Sequence, residues 1–322
     1  MESNSIINLI VQDNDAGTRI DKYLSQILPQ YSRNFFQQLI DANSITINNI
    51  LAKSSTLVKS GDQIAISIPR QPERPIFVPV NNDLGIKILY THQHFFIIYK
   101  PAGLLVHQTE AHSTAPTVVD WLLTNYEELK DIGTIERPGI IHRLDKDTSG
   151  VMVIARTNYA HLTFSQLFQK RLMHKTYYAI VQGHPATSGT INLAIGRDPT
   201  NRKKMATFLP DDKALSLTSA FRVRQSNTKR IAITHYTILK YFKDHTLVEI
   251  KPVTGRTHQI RVHFAAINHP LVGDTLYGIP SKLITRQALH AYSLAFEFEK
   301  EQFDFVAEIP DDLQSLIQIL EN

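Results

Sequence analysis

The 322-residue chain contains no cysteine. That removes disulfides, a thiolate nucleophile and thiolate metal sites from the chemistry open to it. No apolar run approaches the ~20 residues of a membrane-spanning helix. The opening Met1-Glu-Ser-Asn-Ser lacks the basic start and apolar core of a signal peptide, so a soluble cytoplasmic protein is expected. There is no G-x-x-x-x-G-K-[ST], no G-x-G-x-x-G after a strand pattern and no H-E-x-x-H, which sets aside P-loop, dinucleotide and zincin chemistry. Thr148-Ser149-Gly150 lacks the flanking glycine of a nucleophile elbow, which disfavours a serine hydrolase. Repeats and low-complexity tracts are missing as well.

What is present is enough apolar material for a core, 43% of residues, on a chain long enough for one small and one large domain. The net charge of +4 is unevenly spread. Residues 1–76 carry seven basic and seven acidic side chains, residues 197–230 nine basic against three acidic, and residues 297–322 one basic against eight acidic. Such segregation suggests one face for phosphates and another kept away from them.

Local patterns divide the chain. Ile6 to Val11 reads as a strand, and Ile20, Tyr23, Leu24, Ile27 and Leu28 fall on one face of a helix stopped by Pro29. Ser32 is a suitable cap for a second helix through Asp41. Alternation then takes over in Ser44–Ile47, with a turn at Asn48-Asn49, and in Gln63–Ile68. The prolines at 69, 72, 75 and 79 mark a semi-extended linker over residues 69–85, with its last part at 77–85 dividing a 1–76 domain from one over 86–322. The larger domain has strands at Ile88–Tyr90, Phe95–Tyr99, Val151–Ala155, Lys175–Val181, Ile231–Thr234, Tyr236–Tyr241, Thr246–Ile250, Leu289–Phe298 and Phe303–Ala307. Helices are expected at 117–126, at 158–171 and over Arg256–His263, and an exposed hairpin or loop around Arg197–Lys204. Many strands with few helices between them make this domain α+β and mainly antiparallel.

Chemistry concentrates in the loop Gly139-Ile-Ile-His-Arg-Leu-Asp-Lys-Asp-Thr-Ser-Gly150 ahead of a buried strand. Turn formation accounts for Asp147 to Gly150 but leaves His142, Arg143 and Asp145 unexplained. Arg256 and Arg261 come from a second segment, Thr254-Gly-Arg-Thr-His-Gln-Ile-Arg261. An aspartate beside arginine stays ionised, which suits a nucleophile or base rather than a general acid. A metal there is not expected: Arg143 and Lys146 crowd the loop, and His258 and His263 are five apart, on different faces of a helix.

Two resemblances sharpen this. Arg19-Ile-Asp-Lys-Tyr-Leu, the helix from Ser32, Ile45-Thr-Ile-Asn48 and Lys59-Ser-Gly-Asp-Gln-Ile resemble the S4 RNA-binding domain, which implies phosphate contacts at Arg19, Arg33 and Lys53. His142-Arg-Leu-Asp-Lys-Asp-Thr-Ser-Gly150 resembles the signature of the RluA-type pseudouridine synthases, as do Tyr99-Lys-Pro-Ala-Gly103, Lys175-Thr-Tyr-Tyr-Ala179, Gly255–His263 and His269–Asp274. Among the enzymes of that family that act on the large ribosomal particle, Arg197-Asp-Pro-Thr-Asn-Arg-Lys-Lys-Met205 resembles the D type more than the C type.

The resemblance implies a small S4-like α/β domain followed by a mixed, mainly antiparallel catalytic domain. It implies cofactor-free isomerisation of uridines in large-subunit rRNA, free or in an assembling particle, by a monomer that binds no membrane. Asp145 is then the nucleophile or base, with attack at C1′, attack at C6 and removal of the 2′ proton all open. Arg261 pairs with it, Tyr177 stacks on the uracil and assists removal of the C5 proton, and Ile260 packs beneath the ring. Arg143 contacts phosphate or fills the gap left by a flipped base. His142, Arg197, Arg202, Lys203 and Lys204 complete the expected RNA contacts. The alternatives are a non-catalytic S4-type assembly factor, a C-type rRNA site or tRNA as target, and an RNA nuclease or glycosylase.

Overall fold

The structure, a computed structural model, describes residues 5–28, 31, 33–68, 83–108, 115–134, 137–201, 204–209 and 229–322. The chain falls into two compact units, Met1–Phe77 with Gly133–Glu136, and Val78–Ile132 with Arg137–Asn322. Most of the expected linker, and Ser32, Arg202 and Lys203, lie outside the described residues.

The first unit holds β1 (Ser5–Ile10), α1 (Ile20–Ile27), α2 (Arg33–Asp41), β2 (Ile45–Ile47), β3 (Ile50–Leu51) and β4 (Gln63–Ile68). The strands form one antiparallel sheet in the order β1-β4-β2-β3. Asn48 and Asn49 both take positive φ, 49° and 64°, which is the backbone a two-residue hairpin between β2 and β3 demands and which asparagine tolerates. Ile20, Tyr23 and Leu24 of α1 meet Phe36, Leu39 and Ile40 of α2 over Ile45, Ile64 and Ile66, so the spacing read in the sequence is the core.

One buried polar group sits among these helices. Asp21 is fully buried and accepts from Arg19 (Nε 3.1 Å, Nη2 2.9 Å), Arg33 (Nε 2.8 Å) and Gln37 (2.7 Å). Burial pushes its pKa up, but the bonds from Arg33, Gln37 and Arg19 outweigh it and hold the carboxyl at about 2. Arg19 and Arg33, expected on phosphate, therefore spend donors on holding α1 to α2 first. Lys53 stays exposed; its backbone N–H donates to Thr56 Oγ1 and its carbonyl accepts from Thr56 N.

The second unit has β5 (Lys87–Thr91), β6 (Phe95–Lys100) and α3 (Val118–Asn125). β7 (Gly133–Thr134) is two residues long and belongs to the first unit; in the second, the two-residue β8 (Arg137–Pro138) is followed by β9 (Ser149–Ala155), α4 (Asn158–Lys170), β10 (His174–Gln182) and β11 (Ser188–Asn192). β12 (Ala194–Arg197), β13 (Met205–Phe208), β14 (Ile233–Tyr241), β15 (His245–Pro252), α5 (Gln259–Ala266), β16 (Leu289–Phe298), β17 (Glu301–Val306) and α6 (Asp311–Glu321) complete it. The main sheet runs β11-β14-β15-β10-β16-β9-β6-β5, with β17 on the far half of β16. All its pairs are antiparallel except β9 with β16. Thr117 caps α3 through a capping box with Asp120 (Asp120 N to Oγ1 3.3 Å, Thr117 N to Oδ2 2.8 Å).

Three expectations are corrected. The helix expected from Arg256 begins only at Gln259, because Gln259 accepts from Arg256 N and Thr254 Oγ1 and holds 254–258 as a turn. The two strands expected at 231–241 are one, bulged between Ile238 and Lys240. The sequence pattern suggested no helix over α6, whose Leu313 and Leu316 fill an apolar cluster with Ile180 and Val272.

The pKa of Asp21 lies below the ordinary carboxylate value, so its stabilisation is full above about pH 4 and lost as the pH falls towards 2. Asp21→Asn should destabilise the first unit by about 1–2 kcal/mol at pH 7, a figure reduced because both arginines are half in solvent. Urea titrations followed at the methyl resonances of Ile20 and Ile66 should show this gap closing between pH 4 and 2; a gap independent of pH would remove the carboxylate from the account.

Candidate functional site

β9 is buried at all seven positions, and Gly150 at its start lets it lie against β16. Gly150 has φ 131°, and a Cβ there would fall 2.2 Å from Ala291 O, so no other residue fits this parallel contact. The loop ahead of β9 is held from beneath by buried groups. Lys100 Nζ donates to the carbonyls of Pro101 (2.7 Å), Leu104 (2.8 Å) and Lys146 (2.9 Å). Arg286 donates to Asp147 O (3.1 Å), and its other edge grips Asp312 of α6 at 2.6 and 2.8 Å. Burial lowers the Lys100 pKa to about 7, against the pull of Asp147 and Asp145. Two buried cations thus bond the carbonyls of the residues that follow Asp145.

Asp145 itself stays partly open, 22% exposed, and faces α5. Arg261 Nη1 reaches its Oδ2 at 3.2 Å. Behind it, Arg261 donates from Nε (2.7 Å) and Nη2 (2.9 Å) to Asp274, which is fully buried and also accepts from Leu276 N and Tyr277 N. Burial works against the guanidinium charge, but the Asp274 hydrogen bonds outweigh it and push the Arg261 pKa up. Burial likewise raises the Asp274 pKa, and Arg261 more than reverses it, so the carboxyl sits below its usual range. The Tyr277 ring lies 5.2 Å from this guanidinium.

His258, with φ 54° at the cap of α5, places Nε2 4.0 Å from Asp145 Oδ1 and Nδ1 2.9 Å from the Tyr277 hydroxyl. That hydroxyl also accepts from Met205 N at 2.7 Å, which ties the root of the basic hairpin to the site. Burial lowers the His258 pKa despite Asp145, so the ring is neutral.

A cleft of about 610 Å³ is lined by Asp145, Arg261 and His258 together with Tyr177, Arg143, Ile260 and His142. Ile260 belongs to the apolar cluster that Tyr177 packs against. Burial, and then the Asp145 charge, raise the Tyr177 pKa, so the phenol keeps its proton. Arg143 Nη1 donates to His107 Nε2 at 3.1 Å. His142, expected on RNA, is occupied otherwise: its Nε2 accepts Val153 N at 3.0 Å and its ring stacks on Phe168 at 4.8 Å, locking the loop to β9.

Of the other expected contacts in this unit, Arg197 and Lys204 do not line the cleft, and Arg202 and Lys203 lie outside the described residues. Arg197 ends β12, and Asp198, bonded to Thr200 and Asn201, shapes the hairpin tip that includes Lys204. Arg19, Arg33 and Lys53 belong to the first unit. His263 is structural, between Thr234 Oγ1 (2.9 Å) and Leu193 O (3.0 Å). No cluster of potential metal ligands occurs among the described residues. Sequence reasoning gave no role to Asp274, His258, Tyr277, Lys100 or Arg286. Asp274, Lys100 and His258 carried a signal, as members of the His269–Asp274, Tyr99–Gly103 and Gly255–His263 motifs; Tyr277 and Arg286 carried none.

Comparison with known proteins bears on the whole chain. Residues 94–266 match the RNA pseudouridylate synthase family, and residues 18–64 match the S4 domain. An uncharacterized RNA pseudouridine synthase of Synechocystis sp. is 37% identical, over 96% of this chain and 91% of that protein. Ribosomal large subunit pseudouridine synthase D of Neisseria meningitidis is 35% identical, over 99% of this chain and 83% of its own. Among solved structures, human RNA pseudouridylate synthase domain containing 4 superposes with a TM-score of 0.58 at 27% identity, over 73% of this chain and 92% of that one. With an S4 domain ahead of a domain in which a loop, a strand and a helix bring Asp145, Tyr177 and Arg261 into one cleft, the chain belongs to the RNA pseudouridylate synthase family.

Proposed function

We propose that the protein converts specific uridines of large-subunit ribosomal RNA to pseudouridine, with Asp145 as the catalytic carboxylate. The observation that carries this is the partly open Asp145, held at 3.2 Å by an arginine that a buried carboxylate fixes, in the same cleft as Tyr177. The rRNA assignment is supported by relatives named ribosomal large subunit pseudouridine synthase D and by the basic hairpin at Arg197–Lys204. The target uridine leaves its stack and enters the cleft. There its C1′–N1 bond breaks, the uracil turns, and C1′ joins C5; the proton lost from C5 is balanced by one gained at N1.

The residues divide the work in this scheme. Asp145, as nucleophile or base, faces the ribose or uracil with its charge matched by Arg261. Tyr177 stacks on the uracil, Ile260 packs beneath it, and the neutral phenol passes on the C5 proton rather than acting as a phenolate. Arg143 fills the space the base vacates or meets a phosphate. Arg197, Arg202, Lys203 and Lys204 supply sequence-independent phosphate contacts, and the S4 unit adds affinity through Lys53 and the outer edges of Arg19 and Arg33.

Mapping pseudouridines in rRNA from cells with and without the protein should show defined positions lost in its absence. Asp145→Asn should abolish isomerisation and leave RNA affinity within a few fold; measurable turnover by this variant would falsify the assignment. Asp274→Asn should cost about 3 kcal/mol in urea unfolding, because it strips charge from a buried pair. It should also slow turnover on the order of 100-fold by loosening Arg261. Tyr177→Phe keeps the stack and loses the hydroxyl, so single-turnover rates should fall on the order of 10²–10⁴-fold with affinity unchanged. Since the Tyr177 pKa is raised, the wild-type rate should show no rise or fall from this phenol below about pH 10; a limb near pH ~9 that Tyr177→Phe removes would contradict the neutral role.

A further inference from the structure

The cleft carries cations that the uridine chemistry leaves unused. Lys175 stands two residues before Tyr177 on β10, and both side chains line the cleft. Its ammonium makes no hydrogen bond or ion pair with any described residue. It lies 5.8 Å from the centre of the Phe168 ring, and a Cβ built on Gly255 would come 3.7 Å from Nζ. Burial draws its pKa down to about 8, as for a half-sheltered charge without a counterion.

Arg256 is next to Gly255 and also lines the cleft. Its Nε donates to Ile231 O at 3.2 Å, which leaves the outer guanidinium nitrogens without a partner among the described residues. Burial first, and then the charges of Arg230 and Arg171, lower its pKa, so these cations repel one another. Arg171 lines the same side, held exposed at the left-handed end of α4 (φ 62°). The one carboxylate lining the cleft among the described residues is Asp145, already engaged by Arg261. Half-sheltered cations of one sign with no anion destabilise the empty protein, and the missing charge is one a ligand can bring. Guanidinium forks and an ammonium together match phosphate oxygens.

We propose that Lys175, Arg256 and Arg171 form a phosphate subsite that takes a backbone phosphodiester of the RNA beside the flipped uridine. The subsite rests on the reading of the cleft as the uridine site. It would fix the nucleotide through the chain next to the base, while Asp145 and Tyr177 act on the base and sugar. Lys175 and Arg256 supply charge; Gly255, lacking a side chain, leaves the ammonium open to the RNA.

The test is binding of a large-subunit rRNA transcript across a potassium chloride series at about pH 7, with isomerisation of the same transcript measured in parallel. Lys175→Gln and Arg256→Gln should each flatten the log–log salt slope by roughly 0.7, one contact on single-stranded RNA. Each should weaken binding at low salt on the order of three- to tenfold. Lys175→Arg should keep the slope, and it should abolish the loss of wild-type affinity expected above about pH 8 as the ammonium deprotonates. Gly255→Asp, which sets a carboxylate beside Nζ without altering Lys175, should flatten the slope in the same way. Unchanged slopes in Lys175→Gln, Arg256→Gln and Gly255→Asp would overturn the subsite. So would inorganic phosphate shifting the Lys175 resonance while RNA slopes stay the same, since the site would then serve a free anion. Flattened slopes in the variants, with a wild-type protein that forms no pseudouridine on this transcript or on assembling large-subunit particles, would uphold the subsite and refute the uridine chemistry.

Discussion

A single guanidinium shared between two carboxylates sets the geometry of this protein's cleft. Arg261 grips the buried Asp274 with two bonds and offers its remaining edge to Asp145. The two partners are not equivalent. Asp274 has no solvent to fall back on and is satisfied further by two backbone amides, so it is the anchor. Asp145 keeps one side open and is the member free to meet a substrate. A buried ion pair contributes little net stability because desolvation offsets attraction, but breaking one is costly. What it confers here is a fixed direction for the Arg261 charge.

The loop bearing Asp145 is made rigid by comparable means. Irregular backbone beside a buried strand leaves carbonyls that need donors. Lys100 and Arg286 supply them at Lys146 and Asp147, and Gln287 reaches Thr148 Oγ1 at 3.3 Å. Through Asp312, Arg286 also connects that loop to α6. His142 fastens the other side to β9. The loop is therefore held in place by the protein's own groups, with no ligand needed to order it. The cations Lys175 and Arg256, which line the cleft, contrast with this: the Lys175 ammonium and the outer nitrogens of Arg256 have no partner among the described residues.

Much of this was legible in the residue pattern. The helices of the first unit followed from Ile20, Tyr23 and Leu24, and the hairpin turn from Asn48-Asn49, because helical spacing and turn chemistry are local. The strand after Gly150 was legible as an unbroken apolar run, since a strand covered on both faces has no polar alternation. Asp145, Arg261, Tyr177 and Ile260 were singled out from motifs and do line one cleft. The start of α5 was misjudged because its turn is set by the Gln259 side chain, which periodicity cannot register. Arg19 and Arg33 read as free cations because nothing in the pattern reveals that Asp21, on the same helix as Ile20 and Leu24, is buried between them.

The sequence by itself determined most of the elements, the two-part organisation, the apolar cores and which side chains are candidates for the chemistry. Each of these depends on neighbours within a few residues, where chain connectivity fixes the geometry. Only the tertiary structure decided which charge meets which. Asp145 and Arg261 lie 116 residues apart, and Lys100 reaches the loop across 46, so their pairing exists only once β6, β9, β10 and β16 align. The same alignment sorted the cations into those buried against carbonyls and carboxylates and those left facing the cleft. Burial and distance make that distinction, and no residue type carries either one alone.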